Sequence, residues 1–177
     1  MSLKSKRLGK GRWVLGDCLE ALKRLPDNCI DMVLCDLPYG TTELKWDKVL
    51  PLDILWQEYI RICKGPAAIV LTANQPFTSK LIMSNLPMFK YTWIWEKNKV
   101  TGFALAKCRP LKVYEDICVF SKYAAAYHPK IKNIMNYFPQ GLTSIDKTCK
   151  NTKGKCNDSL LSPRPSLKAE YKQTQTG

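Results

Sequence analysis

The chain has 177 residues, 45% of them hydrophobic, enough for one α/β domain with its own core, and a wholly disordered chain is excluded. Lys and Arg number 28 against 15 Asp and Glu, a formal charge of +13 and a pI of about 9.4, which points to a polyanionic partner, nucleic acid before membrane. No apolar run approaches the roughly 18 residues a spanning helix needs, and the opening Met-Ser-Leu-Lys-Ser-Lys-Arg is polar and basic, unlike a signal peptide.

Residues 1–10 read as a loose basic arm. Arg12-Trp13-Val14-Leu15 is a short strand ending at Gly16. Asp17 and Glu20 then form an Asp-x-x-Glu capping box for a helix whose apolar stripe is Leu19, Leu22 and Leu25, stopped by Pro26-Asp27-Asn28. Asp31-Met32-Val33-Leu34-Cys35 is nearly all apolar, the pattern of a strand buried on both faces. It runs into Asp36-Leu37-Pro38-Tyr39-Gly40, and a polar stretch follows through Trp46 and Asp47.

Asp53 opens a second helix with Ile54, Leu55, Tyr59 and Ile62 on one face, ended by Gly65-Pro66. Ala67-Ala68-Ile69-Val70-Leu71 is another buried strand. A helix starting at Pro76 turns Phe77, Leu81 and Ile82 inward. Two further strands, 91–95 and 114–120, flank a basic loop at 97–112. Strands alternating with helices predict a mostly parallel sheet with helices on both faces, an α/β fold. Residues 141–177 are rich in Lys, Thr, Ser, Asn and Gln and read as a basic linker or mobile tail. The 8 cysteines do not suggest a disulfide scaffold. Cys35, Cys63 and Cys118 sit singly in apolar runs, where buried free thiols are common, and this implies a reduced, cytoplasmic setting.

The most informative stretch is Asp36-Leu37-Pro38-Tyr39, at the C-terminal end of a strand, where open α/β sheets bind ligands. A carboxylate, a rigid Pro and an aromatic ring in one turn can face one bound group. By residue type alone the same four make an ordinary strand-ending turn. Around it stand Gly16-Asp17-Cys18, Leu22, Leu25-Pro26-Asp27 and Ile30-Asp31-Met32-Val33-Leu34. Thr41-Thr42, Trp46-Asp47, Ala73-Asn74-Gln75-Pro76-Phe77-Thr78-Ser79 and Phe89-Lys90-Tyr91-Thr92-Trp93-Ile94-Trp95-Glu96-Lys97 follow. Gly102-Phe103, Lys107, Arg109-Pro110-Leu111-Lys112 and Glu115-Asp116-Ile117 complete the series. In this order, from about Arg12 to about Gln140, the chain resembles the amino-methylating DNA methyltransferases, which methylate adenine N6 or cytosine N4. The likeness is to the permuted β group, in its phage or prophage form.

That resemblance implies a Rossmann-like, S-adenosylmethionine-dependent methyltransferase sheet, carried by residues 11–140, and double-stranded DNA as partner. It implies that the Asp36 carboxylate and the Leu37 carbonyl accept the two N–H bonds of an exocyclic amine, turning its lone pair toward an incoming methyl group. Pro38 stiffens the turn and Tyr39 stacks on a base flipped out of the duplex. Leu37 departs from the commoner Pro, which removes stiffness and keeps the carbonyl. Asp at the first position favours adenine over cytosine. Asp17, Cys18 and Asp36 are implied beside the cofactor, although Asp17 as a helix cap needs no further role. Lys97, Lys99, Lys107, Arg109 and Lys112 crowd one loop and are candidates for phosphate contact, or simply a solvated basic loop. Trp93 and Trp95 share a face and read as core. Leu105 and Tyr114 stand where the family resemblance leads one to expect Asn and His.

The family's cofactor signature, an Asp followed by Phe-x-Gly-x-Gly, has no match here. In the permuted group it lies beyond a segment resembling Gln173-Thr174-Gln175-Thr176-Gly177. The expectation is therefore a methyltransferase truncated before its cofactor-binding half, with two central strands missing between residues 12–16 and 31–35. Its partners would include that half on another chain, or a second copy. The alternatives are a DNA-binding remnant without catalysis and, from Cys149 and Cys156, a zinc module. Paired Cys-x-x-Cys spacings are absent and His128 is distant. No Gly-x-x-x-x-Gly-Lys phosphate loop and no Gly-x-Ser-x-Gly elbow is present.

Overall fold

Most of the apolar runs become strands of one sheet, but their directions and cover differ from the expectation. The computed structural model describes residues 3–126, 130–140, 142–150 and 170–176. It divides into two units, Met1–Asn136 and Tyr137–Gly177.

In the first unit, β1 (Lys4–Leu8) pairs antiparallel with β2 (Gly11–Leu15), so the expected loose arm is half of a hairpin. Gly9 makes the turn at φ +54°, a conformation open to glycine at no steric cost. Helix α1 (Cys18–Leu22) is capped by Asp17, whose Oδ1 accepts the Glu20 N–H at 3.1 Å. The box is only half formed, because the Glu20 carboxylate pairs with Lys23 at 2.8 Å instead of reaching back.

A four-stranded sheet follows, in the order β3 (Ile30–Asp36), β4 (Cys63–Ala73), β6 (Lys112–Phe120), β5 (Phe89–Thr101). Only β3 and β4 run parallel; β4 with β6 and β6 with β5 are antiparallel. The expected mostly parallel sheet is thus corrected to a mixed one. The connection 102–111 is too short for a parallel crossover, which needs a dozen or more residues, so β5 and β6 must form a hairpin. Helix α2 (Leu52–Ile62) joins β3 to β4 and stops at Ile62, with Gly65 and Pro66 inside the irregular start of β4 rather than ending the helix. Helix α3 (Phe77–Ser84) follows β4.

The period-two alternation of the strands assigns two faces. On one, Val33, Cys35, Ile69, Leu71, Cys118 and Phe120 pack against Leu19 and Leu22 of α1, Leu55, Trp56, Tyr59 and Ile62 of α2, and Phe77 and Leu81 of α3. The three α-helices among the described residues therefore cover the same face, which corrects the expectation of helices on both. The other face is covered at one end by Tyr123 and Met135, packed on Val70, Val119 and Ile117. Elsewhere it is open: Met32 and Leu34 are 55% and 71% exposed. The run 31–35 is thus buried on one side only, which apolar composition alone does not reveal.

In the second unit, β7 (Leu142–Lys150) and β8 (Glu170–Thr176) pair antiparallel, where the composition suggested a segment without regular structure. No helix among the described residues is long and apolar enough to cross a membrane.

Candidate active site

The parallel register sets Asp36 opposite Thr72 at the C-terminal ends of β3 and β4. Asp36 is exposed. Its Oδ1 accepts a hydrogen bond from the Thr72 hydroxyl and another, at 2.8 Å, from the Tyr39 hydroxyl. The Tyr39 oxygen also lies 2.9 Å from Thr72 Oγ1, so the three groups form one closed knot. Leu37 is buried in the core under the turn and anchors the main chain there. Both described side-chain donors converge on Oδ1, and Oδ2 stands outside the knot. By sequence Thr72 is only the polar residue after an apolar strand. Register alone gives it a role.

Tyr39 is half-buried, and its ring stacks on Phe77 with centroids 5.4 Å apart and planes 23° apart. Burial raises the phenol above its ordinary value of 10; the Thr72 hydrogen bond opposes this, and the neighbouring Asp36 charge adds to it. The hydroxyl is therefore a proton donor at neutral pH. One ring face, expected on a nucleobase, is held by Phe77.

Beyond the turn, the loop is tied by Asp47, a buried carboxylate. It accepts from the N–H groups of Gly40, Thr41 and Thr42 at 2.8–2.9 Å and from the Thr42 hydroxyl at 2.8 Å. These donors, the Gly40 N–H first, hold its pKa down to about 2 from 3.8. Gly40 has φ +68°, and a Cβ there would lie 2.8 Å from Val49 Cγ2, so only glycine fits without strain.

The basic candidates separate into two groups. Lys97 is ion-paired with Glu115, 5.8 Å from the centre of the Trp95 ring. Lys112 donates to Asn74 Oδ1 at 2.6 Å and lies 4.1 Å from the Tyr114 ring centre. Both are integrated into the end of the sheet. Lys99, Lys107 and Arg109 are exposed along the β5–β6 hairpin, whose tip holds a 3-10 turn at Phe103–Leu105. Trp93 and Trp95 are 52% and 51% exposed on the open face, not core as their spacing suggested.

No family model matches the chain. In sequence it is 29% identical over 133 residues to the type II methyltransferase M.HpaI of Haemophilus parainfluenzae, an alignment covering 67% of this chain and 40% of that protein. The chain is similar to the amino-methylating DNA methyltransferases.

Among solved structures, the cytosine-N4-specific PvuII DNA methyltransferase aligns with a TM-score of 0.46 and 14% identity, over 61% of this chain and 48% of that one. The M1.HpyAVI–SAM complex aligns with a TM-score of 0.44 and 20% identity, over 70% and 60%. The chain thus spans less than half the length of its curated methyltransferase relative.

S-adenosylmethionine is the cofactor of the DNA methyltransferase family. Its fit can be judged at the groove of about 400 Å³ between β2 and β3, where the two strands belong to separate sheets. Apolar side chains make up most of its wall, among them Val14, Leu22, Ile30, Val33 and Leu37, with Cys18 and Cys35 beside them. Burial raises the Cys18 and Cys35 thiols, and the neighbouring Asp17 charge adds to the rise at Cys18. Asp17 stands next to the lining residues Gly16 and Cys18, and Asp36 is not part of the lining. The lining suits a planar or apolar moiety and offers neither cation nor carboxylate to the charged amino-acid end. The groove therefore does not fit the whole cofactor.

No cluster of metal-ligating residues occurs among the described residues. His128 and Cys156 lie outside them, so the zinc alternative gains no support. Cys18, Cys29, Cys35, Cys63, Cys108 and Cys118 are free thiols, Cys63 and Cys118 fully enclosed.

Proposed function

We propose that this chain carries the target-base half of a DNA methyltransferase site, holding the exocyclic amine of a base flipped from double-stranded DNA. The observation that supports it most is the exposed Asp36 carboxylate, with Oδ1 tied to Thr72 and Tyr39 and Oδ2 outside that knot. A carboxylate so restrained can accept one N–H of the amine while the Leu37 carbonyl accepts the other. Withdrawing both protons toward oxygen draws the nitrogen lone pair out of the ring system. This is orientation with electrostatic stabilisation, and needs no covalent intermediate. The resemblance favours adenine N6 over cytosine N4.

The reading assigns residues 11–140 to the catalytic half, 1–10 to a basic arm and 141–177 to a basic tail. Lys99, Lys107 and Arg109 would contact phosphates, with Lys97 and Lys112 supporting the hairpin beneath them. Asp17, Cys18 and Asp36 are the residues this chain would bring to the methyl donor. Because the groove has no partner for the donor's charged end, no transfer step is derived from this chain alone. The same groove favours a second reading, a DNA-binding chain that methylates only when another chain completes the donor site. That completing chain would be a C-terminal methyltransferase half or a second copy.

Titrating deoxyadenosine monophosphate into the isotopically labelled chain should shift the Leu37 and Tyr39 amide resonances. Asp36→Ala should remove the effect. A purine nucleotide lacking the 6-amino group that shifts the same amides equally would overturn the proposal. Calorimetry with S-adenosylmethionine decides between the readings: micromolar binding favours a self-sufficient enzyme. Without it, adding the complementary half in trans should restore tritiated-methyl transfer to mixed DNA.

A further inference from the structure

The strand registers place side chains from all four strands in rows across the open face. Asp36, Thr72, Ile117 and Trp93 form one row, since Asp36 pairs with Thr72, Thr72 with Ile117 and Ile117 with Trp93. Trp95 occupies the next row, paired with Glu115. With neighbouring strands about 4.8 Å apart, Trp93 stands about 14 Å from Asp36, and Trp95 lies about 7 Å further along β5. Tyr91 extends the series, its ring 5.7 Å from that of Trp93 and inclined by 36°. Beside Trp95 the Lys97 charge is paired with Glu115, and the cations left exposed along the same hairpin are Lys99, Lys107 and Arg109.

We propose that Trp93 and Trp95 form a stacking platform for unpaired nucleotides flanking the base held at Asp36. This rests on the nucleobase reading of the turn. Extended aromatic surface bordered by cations matches a partner made of π-faces joined by phosphates, and base stacking on exposed rings is indifferent to sequence. A flipped base leaves unstacked neighbours beside it, and the row from Asp36 to Trp93 gives them a surface at the distance of a few nucleotides.

The test uses the full chain with a fluorescein-labelled 12-nucleotide thymidine strand, read by anisotropy and by tryptophan quenching. An abasic strand of equal charge is the comparison. The platform requires quenching by the thymidine strand and not by the abasic one. Trp93→Ala or Trp95→Ala should each weaken binding roughly five- to hundredfold, with the circular dichroism spectrum unchanged because both rings are exposed. Equal affinity for the two strands, or unaltered binding by the double variant, would overturn the proposal. So would a concentration-dependent dimer that Trp93→Ala abolishes while DNA binding stays the same, since the face would then serve a second copy. In Asp36→Ala the platform should persist, so failure at the turn and failure here give different results.

Discussion

Thr72→Val is the sharpest probe of the site, because valine keeps the volume of threonine and removes only the hydroxyl. That hydroxyl donates to Asp36 Oδ1 and lies 2.9 Å from the Tyr39 oxygen. A hydrogen bond to a charged group contributes about 1.5–3 kcal/mol, and exposure of Asp36, which lets water substitute, brings this toward about 1 kcal/mol. For a chain of this length the melting temperature should fall by about 2–4 °C. The larger effect should be on function. With one of its two described restraints gone, the carboxylate samples other rotamers, and deoxyadenosine monophosphate should bind about tenfold more weakly, equivalent to about 1.4 kcal/mol. Nuclear magnetic resonance couplings of the Asp36 β-protons should change from one rotamer to an average. Thr72→Ser, which retains the hydroxyl, should recover both. If Thr72→Val melts earlier but binds the nucleotide as before, or if Thr72→Ser behaves like Thr72→Val, then Thr72 does not position the carboxylate.

Other expectations follow from the loop and the hairpin. Gly40→Ala should cost about 1–2 kcal/mol from its left-handed backbone, with more from the close approach of Val49, measured by chemical denaturation. Asp47 has a pKa lowered to about 2, so its stabilisation is present above its ordinary 3.8 and is lost as pH falls through about 2. Asp47→Asn should therefore lower the melting temperature at neutral pH, and the gap to the parent chain should close between pH 4 and 2. A constant gap across that range would refute the assignment. For double-stranded DNA, replacing Lys107 and Arg109 by Ala should flatten the salt dependence of log affinity by about 0.9 for each phosphate no longer neutralised. Replacing Lys97 should instead destabilise the fold, as it is paired with Glu115 within the sheet.

Between residues 12 and 120 the element order and the turn at 36–39 were legible because apolar runs and helical stripes are local signals, whereas the polar strands 4–8, 142–150 and 170–176 carry no such signal. Strand 67–71 and the helix bearing Leu55, Tyr59 and Ile62 stand where their periodicity places them. What covers a strand is not local. Met32 and Leu34 have the composition of core and stand exposed, and Trp93 and Trp95 obey a period of two that identifies a common face without saying what lies over it. Strand direction was likewise hidden until the length of the 102–111 connection was set against the pairing. Thr72 and Asp47 act across sequence distances that only register and loop closure bring together. The roles of the turn residues came from family resemblance, as the residue types alone allow an ordinary turn.

The Asp47 clasp closes a short loop whose tip is itself tied to the flanking chain: the Leu44 carbonyl accepts the Asp47 N–H at 3.0 Å and the Trp46 carbonyl accepts the Lys48 N–H at 2.9 Å. A single carboxylate gathers Gly40, Thr41 and Thr42 at the base of the loop, so the course of the chain leaving the turn at 36–39 depends on one side chain. Trp46, largely exposed at that tip, is thereby displayed to solvent from a hydrogen-bonded backbone rather than from a loose end.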